Sequence, residues 1–164
     1  AALKGIFSRI VSEQVSYVNA PLMAEARGME VTLTKDETSA DYRNLLTLRG
    51  VLADGSVVSA SATLTGAKQT QKLVGINGYE VEVPLASHHI VMMYEDRPGI
   101  VAVYGKAFGD ASINIAGMQI ARDTRGGQAL SVLTVDSRVP DELLAEVASA
   151  ISATTMAPID VIDL

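Results

Sequence analysis

The stretch MYEDRPGIVAVYGKAFGDASINIAG, residues 93–117, decides the fold of this chain. A short apolar strand over Ile90–Tyr94 runs into Asp96-Arg97-Pro98-Gly99. Pro98 suits the first turn of a helix, where its missing N–H leaves no bond unmade. Ile100, Val103, Tyr104, Ala107 and Phe108 then recur at helical spacing as one apolar stripe. Strand character returns over Ser112–Ala121, Arg125-Gly126-Gly127 reads as a turn, and Ala129–Val135 as the next strand. Pro140 opens a second helix, with Asp141 and Glu142 in the first turn, where the helix dipole favours acids. Leu143, Leu144, Val147 and Ile151 form its apolar face, and Ile159–Ile162 reads as a last strand. Strand, helix, strand, strand, helix, strand is the split βαβ, ferredoxin-like order.

Upstream, residues 1–19 place Leu3, Ile6, Phe7, Ile10, Val11, Val15 and Val18 three and four apart. This predicts one amphipathic helix that ends at Asn19-Ala20-Pro21. Pro21 opens a short second helix that Gly28 closes. From Met29 the period becomes two: Met29, Val31 and Leu33 alternate with Glu30, Thr32 and Thr34, which predicts a strand. Residues 43–52 predict another, Ala53-Asp54-Gly55-Ser56 a turn, and Val58, Ala60, Ala62 and Leu64 one face of a third strand. Lys72–Ile76 and Tyr79–Leu85 flank Asn77-Gly78, a hairpin signal. The pattern restarts near Pro84-Leu85-Ala86-Ser87. The expected fold class is therefore α+β. An N-terminal helix with an antiparallel sheet occupies residues 1–86, and a ferredoxin-like βαββαβ domain occupies residues 87–164.

The 164 residues suffice for one ordinary domain or two small ones, and 48% are apolar, so a packed core is expected. No apolar run is long enough to span a membrane, and no signal peptide is visible at the start. The chain opens inside a helical pattern without a capping residue, which suggests a piece of a longer chain. With no cysteine, this chain alone supplies no disulfide, thiolate nucleophile or iron–sulfur ligand. The net charge of −6 and the lack of a basic block disfavour nucleic acid and anionic membranes as partners. A reducing cytoplasm fits this composition.

The junction at Asp96–Gly99 invites a small charged molecule. A helix N-terminus carries unpaired N–H groups that accept a carboxylate, and Gly99 lets a ligand approach the backbone. Asp96 can accept hydrogen bonds from an ammonium group, and Asn114 offers both a donor and an acceptor. Together these suit a free amino acid. From pattern alone the commoner reading is simpler: Asp96 caps the helix and Asn114 is a turn residue.

Tyr94-Glu95-Asp96-Arg97-Pro98-Gly99-Ile100, followed by Gly109-Asp110-Ala111-Ser112-Ile113-Asn114-Ile115, resembles the ACT domain, a regulatory amino-acid-binding module. Val18-Asn19-Ala20-Pro21, Ala53-Asp54-Gly55-Ser56 and Gln71-Lys72-Leu73-Val74-Gly75-Ile76-Asn77-Gly78 resemble the intervening domain of long-form D-3-phosphoglycerate dehydrogenases. The resemblance implies a regulatory region of an enzyme that oxidises 3-phosphoglycerate with NAD, NAD being held in a catalytic domain outside this chain. It implies feedback by L-serine bound between paired ACT domains, and hence self-association. The family's serine-contact positions fall on Tyr94, Asp96 and Asn114, with Pro98, Gly99 and Ile100 shaping the loop and its N–H groups. On this reading Asp96 takes the ammonium, Asn114 reaches in from the adjacent subunit, and Tyr94 makes an edge contact. The intervening domain of relatives can hold a phosphorylated substrate on basic residues. Lys72 fits that pattern, whereas Pro84 and Thr134 stand where arginines are expected.

Other readings compete. Gly105-Lys106-Ala107-Phe108-Gly109 has the wrong spacing for a dinucleotide loop or a P-loop. His88 and His89 are adjacent, so on a strand they point to opposite faces and do not readily share a metal. They could instead supply a base to a hydrolase or isomerase. Glu80 and Glu82 share a strand face, which is commoner for solvated acids than for a carboxylate pair. Within the regulatory class, an iron–sulfur L-serine dehydratase carries related domains, and a stand-alone amino-acid sensor is the third possibility. An open ferredoxin-like sheet leaves an edge strand able to pair with a second copy, giving a two-fold site shared by both chains.

Overall fold

The computed structural model describes residues 2–39 and 41–161. Two compact units are present, Ala1–Asp41 and Tyr42–Leu164. The first unit holds α1 (Ala2–Phe7) and α2 (Asn19–Ala26). The helix expected over residues 1–19 is cut short at Phe7, while α2 answers to the short second helix expected between Pro21 and Gly28. The N–H groups of Ile10 and Val11 close on the Phe7 carbonyl as α1 ends. Ser16 and Asn19 then form a reciprocal cap. Ser16 N–H donates to Asn19 Oδ1 at 2.7 Å, and Asn19 N–H donates to Ser16 Oγ at 3.1 Å. The sequence carries an N-cap at the end of its apolar stripe, and the chain folds back so that α2 packs on α1. Phe7 packs with Ala20, Met23 and Ala24, flanked by Leu3, Val11 and Val15. Gly28, at φ +68, ends α2 with bonds from Gly28 N–H to Glu25 and from Met29 N–H to Ala24, a Schellman closure.

The strand expected over Met29–Thr34 is absent. This segment has no ladder partner among the described residues, and Met29, Val31 and Leu33 are 43%, 53% and 78% exposed. Alternation prepares a strand, but only a neighbouring strand can satisfy its backbone.

The second unit is built from two antiparallel four-stranded sheets. In the first, β1 (Leu46–Val51), β2 (Val57–Thr65), β3 (Thr70–Ile76) and β4 (Tyr79–Pro84) pair in sequence order. Gly55 (φ +81) and the Asn77-Gly78 pair (φ +49 and +85) supply the left-handed turns. The second sheet contains β5 (His88–Glu95), β6 (Ile115–Arg122), β7 (Gln128–Val135) and β8 (Thr155–Asp160) in the order β6-β7-β5-β8. Helices α3 (Ile100–Asp110) and α4 (Asp141–Ile151) complete the βαββαβ order. The last strand lies earlier than the expected 159–162, because Thr155–Asp160 is the run that pairs with β5; Ile162 lies outside the described residues.

The inner strands of the second sheet, β5 and β7, are buried on both faces. Ile90, Met92 and Tyr94 point to the helices and pack with Ile100, Tyr104, Phe108, Leu144, Val147 and Ile151. Val91, Leu130 and Val132 point the other way and pack with Ile76, Val81 and Val83 of the first sheet. The unit is therefore three layers, helices on sheet on sheet. Only β3 and β4 of the first sheet reach that second core. Register places Leu46 opposite Ala62 and Leu48 opposite Ala60, with Ala62 and Ala60 facing Leu73 and Ile76. Their common face continues past the covered area, so Leu46, Leu48, Val58 and Leu64 remain exposed. The apolar face expected on β2 is accordingly the open one, while Thr63 is buried and donates to the Asn44 carbonyl.

Candidate functional site

The residues expected around Asp96 are placed by the β5–α3 connection. β5 ends at Glu95, opposite Gln128, and Asp96 N–H donates to the Gly127 carbonyl at 2.8 Å. Gly99 stands at the start of α3 with φ +93 and ψ −15, a left-handed conformation that glycine adopts without a Cβ penalty. No side chain caps α3. Ala102 and Val103 N–H donate to the Gly99 carbonyl, so the N–H groups of Ile100 and Val101 precede the first closed turn of the helix. Pro98 and Gly99 are exposed, and Ile100 is buried as the first anchor of the helix.

Asp96 does not cap α3. Its Oδ2 accepts Arg122 Nη1 at 3.1 Å and Gly126 N–H at 3.4 Å. The capping reading of this acid is thereby closed: the carboxylate is turned across the sheet end toward β6 and the β6–β7 turn. Asp96 retains 25% side-chain exposure and Arg122 59%.

Asn114 lies at the other end of the sheet. It precedes β6, its carbonyl accepts Asp136 N–H, and its amide donates to Asp136 Oδ2 at 2.8 Å. Along β7 and its flanks, Gly127 beside Asp96 and Asp136 beside Asn114 are nine residues apart. At a strand rise of 3.3–3.4 Å per residue that is about 30 Å. One chain therefore does not bring Asp96 and Asn114 together.

Tyr94 points into the core, not to the edge. It is 2% exposed, and its hydroxyl lies 2.5 Å from Ser131 Oγ. Strand alternation explains this, since Tyr94 shares the helix-facing side of Ile90 and Met92. Beside it Tyr104 is fully buried with its hydroxyl on Met118 Sδ. Burial above all pushes the Tyr104 phenol up to about 12.

The remaining candidates sit elsewhere. Lys72 Nζ is paired with Glu82 at 3.1 Å, so the one lysine suggested for a phosphate already holds a carboxylate. Glu80 and Glu82 are both exposed. His88 and His89 diverge as adjacent strand residues should. His88 Nδ1 meets Asp160 Oδ1 at 2.8 Å, while buried His89 accepts Ala86 N–H at Nε2 (2.9 Å) and sits 3.2 Å from Thr134 Oγ1 through Nδ1. These partners assign the His89 proton to Nδ1. His88 is held by a carboxylate and His89 by a backbone N–H and a hydroxyl. Arg122 and Asp136, which hold Asp96 and Asn114, were not singled out by sequence pattern. Each contact spans more than twenty residues, and no local spacing encodes it.

Residues 1–77 match the D-3-phosphoglycerate dehydrogenase intervening domain, and residues 88–152 match the ACT domain. The chain is 36% identical over 160 residues to D-3-phosphoglycerate dehydrogenase of Mycobacterium bovis, covering 98% of this chain and 30% of that protein. It is 34% identical over 156 residues to the enzyme of that name from Mycobacterium leprae (95% and 30% covered). The corresponding figure for Synechocystis is 33% over 147 residues (90% and 26%). The chain thus spans about 30% of the length of the mycobacterial relatives. It belongs to the family in which the intervening domain of D-3-phosphoglycerate dehydrogenase is followed by an ACT domain.

Proposed function

We propose that this chain is the feedback-regulatory region of an NAD-dependent D-3-phosphoglycerate dehydrogenase and binds L-serine between two ACT domains. The oxidation itself and the NAD site belong to a catalytic part outside these residues. The observation that carries the reading is the separation of Asp96 from Asn114. Both are polar, both lie at the ends of β6, and about 30 Å of sheet stands between them. β6 is an edge of its sheet. An antiparallel β6–β6 pairing across a two-fold axis sets the Asn114 end of one strand beside the Asp96 end of its partner. Met118 and Ile120 on β6, 48% and 41% exposed, offer apolar surface for that contact.

In the assembled site Asp96 takes the ammonium of serine, and the N–H groups of Ile100 and Val101 take its carboxylate. Asn114 of the second copy takes a remaining polar group. Gly99 and Pro98 hold the loop open, and Tyr94 supports it from the core. Serine bound across the seam favours the paired state by mass action, and it alters the catalytic part only as far as it binds two arrangements unequally. With Lys72 paired to Glu82, phosphate binding by the first sheet is not part of the proposal. A cytoplasmic setting suits the cysteine-free composition, and among the described residues no helix is long and apolar enough to cross a membrane.

Isothermal titration of L-serine into the chain and into the double variant Asp96→Ala/Asn114→Ala tests this. Binding by the first and its loss in the second are expected; equal affinity overturns the reading. Sedimentation with and without serine should show a dimer strengthened by ligand.

A further inference from the structure

We propose that Arg122 occupies the ammonium seat before the ligand does, and so sets how tightly the site binds. The inference rests on the reading of Asp96 as the ammonium partner. Arg122 is the last residue of β6, and its Nη1 lies 3.1 Å from Asp96 Oδ2. That oxygen also accepts Gly126 N–H, so the pair and the turn together orient the carboxylate. A guanidinium at this distance presents to Asp96 the same chemistry as a substrate ammonium: a cationic N–H donor on a carboxylate oxygen. An incoming amino acid must displace Arg122 or share Asp96 with it, and in either case it meets a carboxylate whose charge is already opposed.

The geometry makes displacement possible. Arg122 is 59% exposed, and an ion pair of this exposure is held weakly enough to be exchanged. Arg122 also borders an open groove shared with Asn77, Tyr79 and Glu80 of the β3–β4 hairpin. Arg122 is accordingly a determinant of affinity acting on Asp96, not a ligand contact.

L-serine is titrated calorimetrically into the unmodified chain and into Arg122→Gln, Arg122→Lys, Arg125→Gln and Asp96→Asn variants. Removal of the competitor in R122Q is expected to tighten serine binding about two- to fivefold, the scale of an exposed ion pair. R122K keeps a cation in reach of Asp96 and should bind as the unmodified chain does. R125Q deletes the same charge from the neighbouring turn without touching Asp96 and should leave affinity unchanged. Unchanged or weaker binding by R122Q overturns the inference, as does an equal gain in R125Q, which would make the effect one of bulk charge. If D96N binds serine as well as the unmodified chain, or if the unmodified chain binds none, the reading of the site itself falls and takes this inference with it. Should R122Q fail to fold, R122M keeps the aliphatic stem and reads the same contact.

Discussion

The two sheets of the second unit carry similar apolar alternation and enclose it very differently. β5 and β7 are covered by helices on one face and by the first sheet on the other, and Met92, Leu130 and Leu133 have no exposed surface. β1 and β2 extend the same covered face beyond its cover, and Leu46 and Leu48 are 59% and 39% exposed. The comparison teaches that alternation fixes which side chains share a face, whereas burial depends on what the chain places opposite. Truncation should separate the two regions sharply. Leu133→Ala empties a site with no slack and is expected to cost about 2–5 kcal/mol. Leu46→Ala removes a side chain already in water and should stay within about 0.5 kcal/mol. Urea unfolding of the full chain measures both, and comparable losses would break the contrast.

A smaller effect probes the polar part of the enclosed core. Tyr94 and Ser131 meet across β5 and β7, on the helix side, and no buried side-chain polar atom among the described residues is left without a partner. Ser131→Ala removes the Oγ that meets the Tyr94 hydroxyl and should cost about 1 kcal/mol. The double variant Ser131→Ala/Tyr94→Phe removes both hydroxyls and should recover part of that loss. A double-mutant cycle with no coupling would mean that the hydroxyls do not depend on each other.

Most of the second sheet was legible because its residues agree at every level. Pro98 and Gly99 mark a helix start, the stripe from Ile100 to Phe108 has helical period, and β5 and β7 are too apolar to be anything but enclosed. The first sheet's hairpins were equally legible from Asp54-Gly55 and Asn77-Gly78, since left-handed turns are local. What failed was non-local or masked by a stronger pattern. Ser16 and Asn19 cap α2 at the end of an apolar stripe that reads as continuous, and Met29–Leu33 alternates without any strand to receive it. The candidate site divides in the same way. Asp96, Gly99 and Asn114 announce themselves by residue type. Their partners Arg122 and Asp136 are brought in by sheet register, as is the inward turn of Tyr94.

The seam between the sheets gives the last and smallest test. His89 lies on the face of β5 that looks to the first sheet, and Ala86, in the connection between the sheets, donates its N–H to Nε2. Protonation would set a second N–H against that donor. Burial lowers the His89 pKa below its usual 6.5, hydrogen bonding at Leu133 and Ala86 opposes the shift, and the nearby His88 adds to it. The unfolded chain then takes up the proton first as pH falls. Stability is therefore complete above about pH 6.5 and declines below it, by at most about 1.4 kcal/mol per pH unit until the folded histidine titrates. His88 with Asp160, joined by Arg138 at 3.9 Å, lies beside it on the β5–β8 ladder, so His88→Gln serves as the control. His89→Gln should flatten the decline and His88→Gln should leave it in place. The shape of the transition carries the comparison further. A single urea transition that moves with pH means that the covered and open sheets share one cooperative core through Ile76, Val81 and Val83. A second transition appearing only at low pH would mean that the first sheet is held to the second chiefly by this neutral imidazole.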